Sequence, residues 1–212
     1  MKNYLLFLAV FVMPMAACAQ DAVEIDGIYY NLSSKNQTAE VTKNPNKYFG
    51  DVVIPESVTY KGVNYGVIAI ADLAFFSCDN LTSITIPNSV TTIGIWAFEG
   101  CDGLTSITIP SGVTSIGESA FYKCSGLTSI TIPGSVKSIG NWVFAFCTGL
   151  TSITILNGVT NIENTFFRCT ALSSVILPNT LTSIGHDAFT SCICARHSNW
   201  MLCYWGSSGR DS

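Results

Sequence analysis

One seven-residue pattern of apolar and polar residues recurs along the chain. "LTSITIP" occupies residues 81–87, 104–110 and 127–133, and "LTSITIL" occupies residues 150–156. In the second copy Leu104, Ile107 and Ile109 are apolar, whereas Ser106 and Thr108 alternate with the two isoleucines. This period of two predicts a β-strand whose isoleucines point into the protein and whose hydroxyl side chains face solvent.

The residues after each strand repeat as well, as residues 110–121 illustrate. Pro110 ends the strand because proline has no N–H to donate to a neighbouring strand. Val113 and Ile116 predict a second short extended piece, and Gly117 allows a tight bend. The pair Ala120–Phe121 is predicted to lie on a short helical or 3₁₀ turn.

Cysteines mark the period of the repeat. Six of the nine cysteines, from Cys78 to Cys192, follow one another at intervals of 23 residues, except for one interval of 22 residues between Cys147 and Cys169. A fixed period of this length indicates a solenoid, because a single coil cannot bury its apolar side alone. Neighbouring strands lie about 4.8 Å apart, so equivalent residues are expected to form internal ladders. The ladders are Phe75/Phe98/Phe121/Phe144/Phe166/Phe189, Leu81/Leu104/Leu127/Leu150/Leu172, Ile84/Ile107/Ile130/Ile153/Val175 and Cys78/Cys101/Cys124/Cys147/Cys169/Cys192.

The combined pattern, C-x-x-L-T-S-I-T-I-P-x-x-V-T-x-I-G-x-x-A-F, resembles the BspA-like bacterial leucine-rich repeats. The resemblance covers residues 78–192 in five units and a degenerate unit before them. It implies a leucine-rich repeat solenoid that is right-handed and β-rich, with 23-residue coils, in an exported or surface-attached bacterial protein. Some relatives are described as adhesins. We expect the repeat array to span residues 69–192.

The first residues, "MKNYLLFLAVFVMPMAACAQ", have the features of a secretory signal peptide over residues 1–19. Lys2 precedes an apolar run over residues 5–12, and small residues follow at 16–19. The run is too short to cross a membrane comfortably. Cleavage after Ala19 fits an A-x-A site, whereas residues 15–18 resemble a lipobox that would leave a lipid anchor at Cys18. Both alternatives place the mature protein outside the cytoplasm, extracellularly or on the outer surface of a bacterium.

The two ends of the array need covers, since a terminal coil exposes its apolar interior and strand edges. Residues 20–68 are predicted to form an N-terminal cap with a β-hairpin turning at Asp26–Gly27, followed by the start of a degenerate first repeat with a hairpin at Lys61–Gly62. Residues 193–212 form an atypical tail without repeat landmarks, either a dedicated cap or a truncated or frame-shifted end. We expect disorder or self-association at that end.

Composition excludes several functional classes. The 212 residues carry a net charge of −4, and the basic residues form no cluster, so nucleic acid is not an expected partner. The only histidines are His186 and His197, and no arrangement of nucleophile and base emerges, so no enzymatic activity and no cofactor are expected. The tail offers four potential zinc ligands, but their spacing matches no closed site and we predict no metal. These residues are Cys192, Cys194, His197 and Cys203.

The cysteine ladder and the outward hydroxyl groups each have two interpretations. Export favours disulfides, but parallel side chains on adjacent coils fit disulfide geometry poorly, so buried free thiols are expected. The outward-facing Ser and Thr side chains form two regular rows across the strands, here called the serine and threonine files. They either keep the sheet surface soluble, as polar filler, or match an ordered lattice such as a crystalline polysaccharide, and we favour the first interpretation.

Positions that vary between repeats carry most information about ligands. Trp96 and Trp142 share one register two coils apart, and Tyr122, Lys123 and Phe146 lie close to them in the repeat. Large aromatic residues that the repeat does not require often mark contact surfaces, although they also cover a core. The sequence therefore predicts a non-catalytic exported module that binds a protein or glycan in adhesion at the cell surface. The alternative is a structural spacer or a fragment of a larger adhesin.

Overall fold

The computed structural model describes residues 22–193 and the backbone of residues 195–196 and 201–202. The predicted signal peptide, Cys18 and most of the predicted tail lie outside these residues. Strands and turns make up the described part of the chain, which contains no helix. It therefore holds no helix long and apolar enough to cross a membrane.

Six strands build the N-terminal region, and both predicted hairpins are present. β1 and β2 turn at Asp26–Gly27, and β5 and β6 turn at Lys61–Gly62, with positive φ at all four turn residues. Two consecutive residues with positive φ give the turn whose twist matches paired strands, which explains the Asp-Gly and Lys-Gly sequences. The strands are β1 (Val23–Ile25), β2 (Ile28–Ser33), β3 (Thr38–Val41), β4 (Gly50–Val53), β5 (Ser57–Tyr60) and β6 (Val63–Ile70).

The repeats contribute two sets of short strands. The first set carries the recurring LTSITI sequence: β7 (Leu81–Thr85), β10 (Ser129–Ile132), β12 (Ser152–Ile155) and β14 (Ser174–Ile176). The second set follows the proline position: β8 (Thr92–Ile93), β9 (Ser115–Ile116), β11 (Ser138–Ile139), β13 (Asn161–Ile162) and β15 (Ser183–Ile184). In the tail, β16 (Ala195–Arg196) and β17 (Met201–Leu202) pair antiparallel.

Strands of successive repeats pair in parallel, so the repeats stack. β10, β12 and β14 form one ladder, with Ile130 opposite Ile153 and Ile153 opposite Val175. β6, β8, β9 and β11 form the other ladder, and β3 of the N-terminal region extends it by pairing in parallel with β6. The N-terminal strands therefore continue the second sheet and cover its first edge. In the repeat at residues 101–123 the first strand is reduced to a single bridge between Ser106 and Ser129.

The predicted internal ladders are confirmed. All five leucines of the leucine ladder are fully buried. Five of the six residues of the phenylalanine ladder are fully buried as well, and the sixth, Phe189, is partly buried at the end of the stack. Successive phenylalanine rings are nearly parallel, with centroids 4.9 to 5.6 Å apart. Tyr48 begins this stack from the N-terminal region, 4.5 Å from Phe75.

The segment predicted as a short helical or 3₁₀ turn consists instead of consecutive turns. The N–H groups of Ser119, Phe121 and Lys123 donate to carbonyls of the next repeat, whereas those of the residues between them donate three residues back. Ser119 and Lys123 have φ of 54° and 58°. A left-handed residue at every fourth position interrupts any helix, which is why the prediction of helical turns is not confirmed.

The predicted bend at Gly117 depends on close approach of two repeats. A Cβ atom there would lie 2.6 Å from the carbonyl carbon of Gly94, closer than such atoms pack. The 22-residue unit lacks this glycine altogether, because Glu163 directly follows Ile162. The shorter interval between Cys147 and Cys169 is therefore the loss of one residue at the bend.

The six ladder cysteines are buried free thiols, as predicted. Five of them donate a hydrogen bond from sulfur to the phenylalanine carbonyl of the preceding repeat, over 2.9 to 3.2 Å. These are Cys101 to Phe75, Cys124 to Phe98, Cys147 to Phe121, Cys169 to Phe144 and Cys192 to Phe166.

Candidate ligand-binding surface

The turn segment presents two files of left-handed residues on the outside of the stack. In the file directly before the cysteine, φ lies between 52° and 68°; it comprises Ser77, Gly100, Lys123, Phe146, Arg168 and Ser191. In the file five residues before the cysteine, φ lies between 53° and 60° in four repeats; these residues are Leu73, Trp96, Ser119 and Trp142. Four of the five predicted site residues therefore occupy left-handed positions, and the fifth, Tyr122, precedes one.

Four aromatic rings on this side form a connected group, here called the aromatic strip: Tyr122, Trp142, Phe146 and Phe167. Phe146 packs edge-on against Tyr122 at 5.2 Å and against Phe167 at 5.7 Å between ring centroids. Trp142 packs edge-on against Phe167 at 5.2 Å. All four rings are half-buried, so each keeps part of its surface in contact with solvent.

Two cations lie on the rings of the aromatic strip. The Nζ atom of Lys123 is 5.2 Å from the ring centre of Tyr122. The guanidinium carbon of Arg168 is 5.5 Å from the ring centres of both Phe146 and Phe167. Both side chains are exposed. A cation over an aromatic face contributes about 0.5–1 kcal/mol at an exposed site, so these contacts hold the cations next to the rings.

The structure brings together four of the five residues predicted from sequence and leaves Trp96 apart. Trp96 is 42% exposed and makes none of the ring contacts described above. Ser119 holds the equivalent position in the repeat between the two tryptophans and is buried, as expected of a small residue flanked by two indoles.

The site residues predicted from sequence do not include Phe167 or Arg168. Phe167 directly follows the core residue Phe166, so in the sequence both phenylalanines look like core residues. The signal that identifies it is the register: Phe167 occupies the position of Tyr122, two residues before the cysteine, where the other repeats have phenylalanine, glutamate, alanine or threonine.

No single position of the aromatic strip is needed to bury the phenylalanine of its repeat. Phe98 is fully buried although its repeat has Glu99 and Gly100 at the two positions before the cysteine. Phe121 is fully buried although Ser119 replaces tryptophan in its repeat. Each of these repeats keeps one large aromatic residue, Trp96 or Tyr122, so the phenylalanine ladder is shielded without the full set.

Bulky residues at these positions also oppose the backbone conformation. A left-handed φ costs a non-glycine residue roughly 1–2 kcal/mol. Gly100 adopts the same conformation in the same file, so glycine fits there. The residues Lys123, Phe146 and Arg168 are thus less favourable for the backbone than a glycine would be, and the repeat alone gives no reason for them.

One carboxyl group lies beside the aromatic strip. Partial burial raises the pKa of Glu99, and the positive charge of Lys123 acts in the opposite direction. The two groups form no ion pair within 4.0 Å among residues 22–193.

Comparison with known proteins relates this architecture to a family. The model of the BspA type leucine-rich repeat region matches six copies over residues 68–195. The chain belongs to the BspA-type leucine-rich repeat family. A search of curated proteins gave no match.

Several solved bacterial structures share the fold of this BspA-type protein. A leucine-rich cell surface protein from Faecalibacterium prausnitzii is 34% identical with a TM-score of 0.72; the match covers 84% of this chain and 48% of that one. The leucine-rich repeat protein of T. pallidum is 27% identical with a TM-score of 0.65, over 78% and 86% of the two chains. A protein from Bacteroides capillosus is 29% identical with a TM-score of 0.57, over 64% and 99%. The chain thus spans about half the length of the F. prausnitzii protein.

The first-strand face of the BspA-type stack carries the serine and threonine files. A shallow depression of about 390 Å³ lies over three repeats, lined by residues of both files including Ser129 and Thr131. Val53 and Ile176 occupy the two ends of the threonine file and are 67% and 56% exposed. These two apolar side chains interrupt the regular row of hydroxyl groups, which would weaken any match to an ordered lattice.

The described residues of the BspA-type protein contain no group of His, Cys, Asp and Glu that could hold a metal. Of the four potential zinc ligands considered from sequence, only Cys192 lies within them. Cys194, His197 and Cys203 lie outside the described residues.

Proposed function

We propose that this BspA-type protein is a non-catalytic, exported binding module that recognises a protein or glycan at the bacterial cell surface through the aromatic strip and Trp96. One observation carries the proposal: three partly exposed aromatic residues, Trp96, Trp142 and Phe146, occupy left-handed backbone positions that other repeats fill with serine or glycine. The description of the F. prausnitzii neighbour as a cell surface protein supports the location.

The physical case rests on what partly exposed aromatic residues contribute to binding. Burial of the remaining ring surface gives a large gain for little lost side-chain freedom, and Trp, Tyr and Arg dominate binding hot spots. The strip is also held rigid, because the N–H groups of Phe146 and Arg168 donate to carbonyls of the next repeat over 2.8 Å each. A surface already in its bound conformation loses less entropy on association.

A capture experiment tests this function. Immobilised wild type and the double variant Trp96→Ala/Trp142→Ala are exposed to extracts of host matrix and of neighbouring cells, and bound material is identified. We expect specific capture by wild type and its loss in the double variant. Phe49→Ala is the matched control, because Phe49 is 75% exposed but lies in the N-terminal region. Equal capture by wild type and the double variant would contradict a role for the tryptophans.

The second candidate is a structural spacer or a part of a larger adhesin. The observation that favours it is the coverage of only 48% of the F. prausnitzii protein. Absence of any specific capture by wild type supports this candidate.

We also propose a right-handed solenoid with 23-residue coils, export through the signal peptide at residues 1–19, and either cleavage after Ala19 or a lipid anchor at Cys18. Parallel stacking of the repeats supports the solenoid. The intact mass of the exported protein distinguishes the two processing routes, since lipid attachment adds mass at Cys18. Size measurement in solution tests self-association through the C-terminal end.

A further inference from the structure

The aromatic strip holds two positive charges to which residues 22–193 offer no ion-pair partner. The ion pairs among these residues join Lys47 to Asp79 and His186 to Asp187. Lys123 and Arg168 belong to neither pair, although the chain has 14 acidic and 10 basic residues. The two cations outnumber Glu99, the carboxyl group beside the strip, and a local positive charge on an acidic protein favours partners of opposite charge.

We propose that the aromatic strip binds a protein partner through a segment in which acidic side chains flank an apolar one, with Arg168 and Lys123 receiving the carboxylates. This proposal rests on the proposed function and names the chemistry of its partner. The apolar side chain packs against Phe146, which lies between the two cations in the file before the cysteines.

The position of Arg168 suits a carboxylate. Its guanidinium carbon lies 5.5 Å from the ring centres of both Phe146 and Phe167, and the exposed side chain leaves its N–H groups accessible from solvent. A carboxylate accepts two parallel hydrogen bonds from the edge of a guanidinium without displacing the neighbouring rings. The adjacent apolar rings exclude water from one side, which strengthens the attraction between opposite charges.

The ring arrangement disfavours a neutral sugar. Phe146 meets its two neighbours in the strip at interplanar angles of 62° and 63°, and Trp142 meets Phe167 at 77°, so the rings form no flat platform. The cations already cover faces of Tyr122, Phe146 and Phe167. A sugar ring that stacked there would displace them, whereas an acidic peptide segment makes use of them.

The spacing of the cations fits an extended segment. Lys123 and Arg168 are two repeats apart along the stack, about 10 Å at the usual strand spacing. Arg168 leans over Phe146 of the preceding repeat, which brings the charges closer. Side chains at positions i, i+2 and i+4 of an extended strand share one face, so an apolar side chain at i+2 lies between acidic ones at i and i+4. These acidic positions are roughly 13 Å apart, within reach of two long flexible cations.

Fluorescence anisotropy with the full chain tests the proposal. The probe is a short labelled peptide with aspartate, phenylalanine and aspartate at every second position, separated by serine, so that all three side chains share one face of an extended strand. Matched peptides carry asparagine or lysine in place of aspartate. Two further probes are a neutral cellulose-derived oligosaccharide and an anionic uronic-acid oligosaccharide.

We expect the aspartate peptide to bind wild type and to bind less as salt is raised. Arg168→Gln and Lys123→Gln should each weaken binding by about tenfold, the effect of losing one charge-assisted contact. Lys137→Gln changes the net charge equally on an exposed lysine outside the strip and should leave binding unchanged. Thermal melts of each variant verify folding.

Several results would overturn the proposal: no binding of the aspartate peptide, equal binding of the asparagine peptide, or no effect of Arg168→Gln. Stronger binding of the uronic-acid oligosaccharide through the same cations would assign the site to glycans. Binding of the neutral oligosaccharide that is lost in Trp142→Ala but kept in Arg168→Gln would overturn this proposal while leaving the proposed binding function intact.

Discussion

The sulfur of Cys124 donates a hydrogen bond to the carbonyl oxygen of Phe98, 3.0 Å away in the preceding repeat. The same buried carbonyl also accepts the backbone N–H of Cys101 over 3.2 Å, so the thiol is a second donor to it and comes from the next repeat. The thiol also fills the volume of a small apolar residue. The cysteine ladder therefore contributes packing, and five of its thiols add hydrogen bonds between repeats, which is a physical reason for free cysteines in register.

Stability is expected to fall in alkaline solution. Burial raises the pKa of Cys124 from 9.0 to about 12, and burial also raises the pKa of Cys147. Above about pH 9 the unfolded chain releases thiol protons that the folded chain retains, so the free energy of unfolding decreases as pH rises towards 12. Urea unfolding at about pH 8 and about pH 10 measures this decrease. The variant Cys124→Ala should show a shallower dependence; an identical slope would assign the effect to other groups, such as Tyr30, whose pKa burial raises to about 12.

Removing a central phenylalanine should destabilise the stack severely. Phe121 is fully buried between Phe98 and Phe144, with ring centroids at 5.0 and 5.3 Å. We expect Phe121→Ala to lower the free energy of unfolding by about 3–5 kcal/mol through lost burial and a residual cavity. Chemical denaturation measures the loss. Tyr122→Ala, the next residue but half-exposed, serves as the control and should cost much less; a Phe121→Ala melt equal to wild type would refute the register of the ladder.

A methyl group at the bend should separate two repeats. In Gly117→Ala the new Cβ meets the backbone of Gly94 and Ile95 at 2.6 and 2.7 Å, and backbone cannot yield as a flexible side chain does. We expect a loss of about 1–3 kcal/mol, the usual effect of overpacking. Gly66→Ala is the matched control, since nothing lies within 4 Å of its added Cβ. Comparable losses in both variants would show that the contact with Gly94 does not govern the result, because the lower flexibility of an unfolded alanine variant would by itself be stabilising.

The left-handed file allows a direct measurement of backbone strain. Lys123 has φ of 58° and an exposed side chain. Lys123→Gly relieves the strain, whereas Lys123→Ala removes the same charge and keeps the Cβ atom. We expect the glycine variant to be more stable than the alanine variant by about 1 kcal/mol, because the strain exceeds the extra freedom of glycine in the unfolded chain. Equal stability of the two variants in urea would show that the left-handed conformation of Lys123 is not strained, and backbone strain would then not support a binding surface.

The sequence predicted the parts of the fold that depend on apolar periodicity. Leu104, Ile107 and Ile109 are buried as their alternation requires, and the two-residue turns at Asp26 and Lys61 are where the sequence places them. Such features are local, because side-chain alternation and turn chemistry involve residues next to one another.

The turn segment could not be predicted in the same way. Its left-handed residues include Lys123, Phe146 and Arg168, none of which prefers that conformation. Hydrogen bonds from these residues to the next repeat impose it, so the cause lies in the stacking of repeats and not in the local sequence. The aromatic strip could not be predicted fully for the same reason. Stacking of the repeats brings the ring of Phe167 beside those of Trp142 and Phe146, which belong to the preceding repeat.

The hydrogen bonds that join the repeats run along the stack, and this direction determines how the protein responds to mechanical force. A force applied along the stack acts on one contact between neighbouring repeats at a time, because the paired strands of that contact separate before those of the next one. Each released unit of 23 residues adds roughly 70–80 Å of extended chain. A molecule pulled along its stack would therefore lengthen in steps of this size and dissipate mechanical energy at every step.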